Sequence, residues 1–266
     1  MSKKQRVLVQ KQFTKTRDAF SQFAVRDSAD VVAERLAFAK PDPESLALDV
    51  ACGPGAFVLA LARVVRFARG IDVTAPMLSR AKEFQLERQI TNAYFDQGDA
   101  EQLPYPDGAF HLVSCQFAFH HMPRPEAVLK EMHRVARADG RLLIVDTIGP
   151  ESDEKWALHN RIDVIRDPSH TASLRLTTLL KQFDDAELDV LRQSLKRRPR
   201  SFNAWMLRAG LEPSHARYLE ARKLLEGSIP GDRAGMSPTS QDGDLTIVHY
   251  EGSFLLGKKP SQPTVL

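Results

Sequence analysis

Leu48-Asp49-Val50-Ala51-Cys52-Gly53-Pro54-Gly55 is the stretch on which the fold turns. With Leu46-Ala47 before it, its first half is a near-continuous apolar run of strand length, and its second half is a turn built on two glycines. Glycine lets the backbone bend sharply and approach a ligand closely, and the N-terminus of a following helix offers free N–H groups to an anion. That helix is predicted from Phe57, Val58, Leu61, Ala62 and Val65, which recur at helical spacing.

Outward from this unit the alternation repeats. Ile71-Asp72-Val73 reads as a second strand. A helix follows, with Thr74 as its cap, Pro76 in its first turn, and Met77, Leu78, Ala81 and Leu86 on one side. Ala93-Tyr94-Phe95 and Phe110 to Cys115 read as strands three and four. Pro125 opens a helix that carries Val128, Leu129, Met132 and Val135 inward and ends at Asp139-Gly140, and Arg141 to Val145 is a fifth strand. Strands and helices alternating at this spacing predict an α/β fold, doubly wound around a mostly parallel sheet. In such sheets ligands bind beyond the carboxyl ends of the strands, where strand order reverses.

The flanks are less regular. Asp30 to Ala39 reads as a helix ended by Pro41-Asp42-Pro43. Helices are expected over Glu154 to Ile165, Thr177 to Phe183, Ser201 to Ala209 and Pro213 to Glu226, and Leu188 to Leu195 is ambiguous. Gly227 to Gly243 is expected to be a mobile loop short of apolar anchors, and Leu245 to Leu256 a strand pair broken at Glu251-Gly252. Three regions follow: residues 1–40 as a helical segment over the binding site, 41–150 as the core, and 151–266 as a helical lid plus closing strands of the same sheet.

Composition limits the function classes. The 266 residues include 42% hydrophobic and 27% charged side chains, which excludes a disordered chain. No run approaches the roughly 20 apolar residues of a membrane helix. The net charge of +3 is too mild to argue for nucleic acid, and the basic clusters at residues 3–17 and at Lys196, Arg197, Arg198 and Arg200 read first as solvated faces. Two cysteines, Cys52 and Cys115, are too few for a disulfide framework and suit a reducing compartment, so the expected location is cytoplasmic.

The informative residues fall just after the strands. The first turn lacks the Gly-Lys-Ser/Thr of a phosphate-binding P-loop, and Val58 stands where a dinucleotide fingerprint wants a third small residue. Asp72 ends the second strand, where an acid can accept hydrogen bonds from ribose hydroxyls. Asp99, in Gly98-Asp99-Ala100-Glu101-Gln102-Leu103-Pro104, can take an adenine amino group. Acids after three successive strands point to one nucleoside site.

Together, Asp49-x-x-Cys52-Gly53-x-Gly55, Gly70-Ile71-Asp72, Gly98 to Pro104 and Phe110-His111-x-Val113 resemble the class I S-adenosylmethionine-dependent methyltransferases. The resemblance is to the branch of the ubiquinone and menaquinone C-methyltransferases, supported by His120-His121-Met122-Pro123, Glu131 to Val135 and Gly140 to Leu143. It spans about residues 10 to 150, extends through Arg166-Asp167-Pro168-Ser169-His170, and is loose beyond. It implies a Rossmann-like, seven-stranded sheet and S-adenosyl-L-methionine as cofactor. Gly53 and Gly55 would lie under the methionine moiety, with Asp49 ordering the loop that receives its amino group. Asp72 would hold the ribose, Val73 and Met77 would pack near the adenine, Asp99 and Ala100 would contact its edge, and Gln116 would meet the methionine end. Phe20 or Phe23 would close over the cofactor, without the hydroxyl of the tyrosine more usual there.

The resemblance further implies a small-molecule acceptor, aromatic, polyketide-like or quinone-like, methylated at carbon or oxygen. It admits a homodimer and implies neither nucleic acid nor a membrane span. A weak nucleophile needs its proton removed, and histidine suits that task. His120, His121, His159 and His170 are candidates, with His121 and His170 preferred because their segments flank the expected opening. Arg166 can neutralise a phenolate, enolate or carboxylate, although a surface pair with Asp167 is the plainer reading. No metal is expected from these spacings. The rival readings are a nicotinamide-dependent dehydrogenase and a cofactor-binding protein without catalysis.

Overall fold

The computed structural model describes residues 1–18 and 28–260. Helices α1 (Lys3–Lys15) and α2 (Ser28–Ala39) precede the alternating core. The core comprises β1 (Leu46–Val50), α3 (Ala56–Leu61), β2 (Phe67–Asp72), α4 (Ala75–Glu87), β3 (Ala93–Gln97), β4 (Phe110–Gln116), α5 (Pro125–Val135) and β5 (Ala136–Gly149). The second half adds α6 (Asp153–Arg166), β6 (Leu174–Arg175), α7 (Leu176–Asp185), β7 (Leu188–Ser201), α8 (Phe202–Leu207), α9 (Ala216–Glu226), β8 (Thr239–Gln241) and β9 (Asp244–Lys258). None of the described helices is long and apolar enough to cross a membrane.

The main sheet runs in the order β3-β2-β1-β4-β5-β9-β7, with the short β6 on β5 and β8 on β9. Pairings from β3 to β5 are parallel, and β9 runs antiparallel to both β5 and β7. The expected seven-stranded, mostly parallel sheet is therefore the main path of a nine-stranded one. Strand order reverses between β1 and β4, which opens a crevice at their carboxyl ends.

Buried side chains explain why these segments form these elements. One face of the sheet packs Leu48, Val50, Val113, Leu129, Met132 and Ile144 in one cluster. The other packs Ala47, Val58, Leu61, Ala81, Leu143 and Val145. A third cluster, with Ile162, Phe202, Trp205, Met206, Tyr218 and Ile247, ties α6, α8, α9 and β9 together.

Four local expectations are corrected. The helix opened by Pro125 ends at Val135, and the following Ala136 is already extended, with a bulge before Leu112 in the pairing of β4 with β5. The ambiguous Leu188 to Leu195 opens a 14-residue strand that pairs with β9 along its length, and the residues of its later half alternate between half-buried and exposed. Residues 227–243 are anchored: Ala234 and Met236 are fully buried, and Val248 N–H donates to the Met236 carbonyl at 2.7 Å. Residues 245–256 form one unbroken strand, and Gly252 is there for packing. A Cβ at Gly252 would stand 2.6 Å from Phe254 Cε2 and 2.8 Å from Ile148 Cδ1.

Gly252→Ala is therefore expected to overpack this junction and to cost about 1–3 kcal/mol. In chemical denaturation, Ile148→Ala in the same chain should make the added methyl less harmful than it is alone; equal effects in both backgrounds would contradict this packing.

Candidate functional site

The crevice between β1 and β4 deepens into a cavity of about 610 Å³, within the roughly 300–1,000 Å³ typical of small-molecule sites. One end is built by the first three βα turns. Gly53 adopts φ +52°, which brings bare backbone to the wall, and Asp72, Val73, Met77 and Ala100 line the same end. Asp72 is buried, and its carboxylate accepts from Gly53 N–H at 2.9 Å and Thr74 N–H at 2.8 Å. Burial pushes its pKa upward. The Thr74 hydroxyl makes no capping bond to the helix it precedes.

Asp49 lies at the switch point itself. It is 3% exposed, accepts from Ser114 Oγ at 2.6 Å, and is pushed up to about 7 by desolvation. Gln116, at the end of β4, lines the cavity with both amide heavy atoms buried and without a hydrogen-bond partner among the described residues. Helix α1 roofs this end: Gln10 Nε2 donates to the Val73 carbonyl at 2.9 Å, and Gln5 Nε2 donates to the carbonyls of His121 and Ser169 at 2.9 and 2.6 Å.

Gly55, Asp99 and Phe20 stand apart from the rest of the expected set. Gly55 does not line the cavity. Its φ of +75° and missing Cβ make room for Phe95, whose Cε1 would lie 2.7 Å from a methyl there. Asp99 turns its carboxylate to Arg6 and accepts from Glu101 N–H at 3.0 Å, so it caps its own turn outside the cavity wall. Phe20 and Phe23 lie outside the described residues.

The other end of the cavity is polar. His120, His121 and His170 all line it, with ring centroids 4.3 Å (120–121), 5.4 Å (120–170) and 6.3 Å (121–170) apart. Their hydrogen bonds assign their tautomers. His120 Nδ1 lies 2.5 Å from Asp146 Oδ1, leaving Nε2 as its lone-pair nitrogen. His121 Nδ1 donates to Ser169 Oγ at 3.1 Å, because the Ser169 hydroxyl is spent on Asp167 at 2.6 Å. His170 Nε2 donates to Asn160 Oδ1 at 2.9 Å. Burial lowers His121 to about 3, helped by the neighbouring His120, and lowers His170 to about 4. His120 is also desolvated, yet the Asp146 carboxylate raises it above the ordinary value. Desolvation thus weakens His121 and His170 as bases, whereas the Asp146 carboxylate offsets burial at His120.

Arg166 lines the cavity and forms no pair with Asp167. Its Nε donates to the Trp205 carbonyl at 2.9 Å, and its guanidinium lies 4.8 Å from the Trp205 ring. Sequence reasoning missed Asp146, Arg200, Trp205 and His249 as lining or supporting residues. The alternation of β7 was the available signal for Arg198 and Arg200, since both face the cavity rather than solvent. His159, Asp163 and His249 bring one donor atom each to within 4.8 Å of one another, an arrangement that no spacing announced. The charges of Arg200 and Arg166 bear on His249 and oppose a cation there, and Asp163 also lies 3.6 Å from His170 Nε2. Asp163 is better described as the shared anion of a histidine cluster.

A family model described as a methyltransferase domain matches residues 48–144. The uncharacterized methyltransferase YcgJ of Bacillus subtilis is 33% identical over 170 residues, 63% of this chain and 66% of YcgJ. A demethylmenaquinone methyltransferase of Geobacillus is 35% identical over 107 residues, 39% of this chain and 46% of that protein. The chain thus matches about two thirds or less of the length of these relatives. The crystal structure of YcgJ superposes with a TM-score of 0.80 at 26% identity, covering 88% of this chain and all of that one. The cyclase SpnF shares the fold alone, with a TM-score of 0.60 at 19% identity over 88% of this chain and 80% of its own.

The two depressed histidines have a consequence for stability. Unfolding restores them to about 6.5, so the unfolded chain binds protons that the folded chain refuses as pH falls from about 6.5 toward 4. Stability is full above that window and is expected to decline through it by about 1.4 kcal/mol per pH unit for each proton taken up. Urea denaturation across this window should show a shallower decline for His121→Gln than for the unaltered protein. An unchanged slope would contradict the burial of a neutral His121.

Proposed function

Since the chain belongs to the class I S-adenosylmethionine-dependent methyltransferases, we propose that it methylates a carbon or oxygen nucleophile on a small-molecule acceptor. The observation that carries this reading is the continuity of one cavity, from Gly53 and Asp72 at one end to the three histidines at the other. S-adenosylmethionine fits the first end on chemical grounds. A buried carboxylate suits a ribose diol, bare backbone at Gly53 suits close approach, and the unpartnered Gln116 amide awaits a polar group. When bound, this cofactor supplies an electrophilic methyl on a sulfonium, transferred by in-line displacement.

The chain's own work is alignment and proton management. Val73, Met77 and Ala100 flank the adenine, Asp72 holds the ribose, and Asp49 braces the loop toward the amino-acid end. Asp99 reaches the adenine only by releasing Arg6 and the Met1 amino group. Helix α1 covers the site and excludes water. His120 Nε2 accepts the acceptor's proton, with Asp146 fixing its tautomer and stabilising the imidazolium. His121 and His170 remain neutral and shape the site. Cytoplasmic location belongs to the same reading, supported by two free cysteines. A nicotinamide-dependent dehydrogenase is disfavoured because Val58 stands where the third small residue of a dinucleotide fingerprint would be.

Calorimetry with S-adenosylhomocysteine tests the cofactor end. Asp72→Asn keeps the shape and one acceptor oxygen, and should weaken binding by about 1.5–3 kcal/mol. Unchanged affinity, or tight binding of NAD by the unaltered protein, would overturn the assignment. For the acceptor end, His120→Asn should lower single-turnover methylation roughly 10²–10⁴-fold with cofactor affinity intact. The unaltered rate should fall as pH drops through the raised pKa of His120, since the protonated ring accepts nothing.

A further inference from the structure

Two guanidiniums on the cavity wall, those of Arg200 and Arg166, pair with no carboxylate among the described residues. β7 brings Arg200 to the cavity, α6 brings Arg166, and Arg208 follows at the end of α8. These guanidiniums bear on one another: burial first, then Arg208 and Arg166, push Arg200 down to about 10. Arg200 Nε is buried without a hydrogen-bond partner, and among the described residues no carboxylate oxygen lies within 4.0 Å of Arg200 or Arg166.

The nearby carboxylates are committed elsewhere. Glu251 receives Arg198 at 2.9 Å, Asp167 receives the Ser169 hydroxyl at 2.6 Å, and Asp163 is held by His159 at 3.3 Å and Ser173 at 3.3 Å. The basic run that first reads as a solvated face thus leaves two guanidiniums unmatched on an interior wall. Like charges in a partly dry wall are unfavourable unless an anion joins them. Guanidinium donors match a planar pair of oxygens, and the Trp205 ring beneath Arg166 offers an apolar face beside them.

We propose that Arg200 and Arg166 bind a carboxylate of the acceptor, so that the substrate is a small organic acid whose apolar body lies against Trp205. Its role as acceptor site rests on the methyltransferase reading; the anion site itself does not. With the acid held there, the remainder of the acceptor points back toward His120 and the cofactor end of the same cavity.

The test uses the full chain, sodium benzoate as probe, its neutral isostere benzamide, and inorganic phosphate, by calorimetry with and without S-adenosylhomocysteine. Benzoate is expected to bind about tenfold or more tighter than benzamide and tighter than phosphate, with an affinity that falls as salt is added. Arg200→Gln should remove that preference while S-adenosylhomocysteine affinity stays unchanged, and Arg200→Lys should retain part of it. Equal binding of benzoate and benzamide, a preference for phosphate, or selectivity that survives both Arg200→Gln and Arg166→Gln would overturn the proposal. The unaltered protein decides the first two outcomes without any variant. Failure to bind S-adenosylhomocysteine would overturn the methyltransferase reading instead, and the benzoate comparison would still decide the anion site.

Discussion

The reversal of strand order between β1 and β4 is the constraint on which the site depends. Neighbouring crossovers leave this point on opposite faces of the sheet, so the carboxyl ends of β1 and β4 cannot be covered by either helix layer. The protein braces the gap from inside with the Asp49–Ser114 hydrogen bond at 2.6 Å, a buried link between the two strands. Around it, Gly53 supplies bare backbone, Asp72 fixes the turn by taking two backbone N–H groups, and Gln116 presents an amide with no internal partner. Each feature is costly in a closed core and becomes sensible in a cavity meant for a polar ligand.

The second half of the chain closes the other end of the cavity. The apolar cluster around Phe202, Trp205 and Ile247 holds α6 and α8 in place, and Asp163, Arg166 and Trp205 from these helices line the cavity. Two histidine environments result from one crowded corner. Asp146 accepts from Phe119 N–H and Thr147 N–H at 2.8 and 2.7 Å and still faces His120, so that ring stays basic. His121 Nδ1 is hydrogen-bonded to the neutral Ser169 hydroxyl and His170 Nε2 to the neutral Asn160 amide, and burial depresses both rings even with Asp163 3.6 Å from His170 Nε2. Separated pKa values in adjacent rings let one group move a proton while the others hold shape.

The sequence was legible where a local rule and the tertiary role coincide. The Leu46 to Gly55 run, the acid at Asp72 and the helix around Val128 and Leu129 each follow from period or turn chemistry. Gly55 was misread because its glycine answers to Phe95, a residue 40 positions away whose approach no turn rule contains. Gly252 suggested a break for the same reason, although it makes room for Phe254 and Ile148. The arginines of β7 were hidden because a basic run looks like a solvated edge until the strand pairs with β9 and its alternate residues Arg198 and Arg200 are brought to the cavity. His120 could not be ranked above its neighbours, since its partner Asp146 lies on another strand.

On the proposed reading, one cavity holds the cofactor at the glycine end and the acceptor at the basic end. A crystal structure of the protein with S-adenosylhomocysteine tests it most directly. The account predicts the adenine between Val73, Met77 and Ala100, the ribose on Asp72, and the sulfur facing His120 and the cavity beyond it. A ligand bound with its adenine against Arg200 and Trp205, or bound outside this cavity, would contradict it.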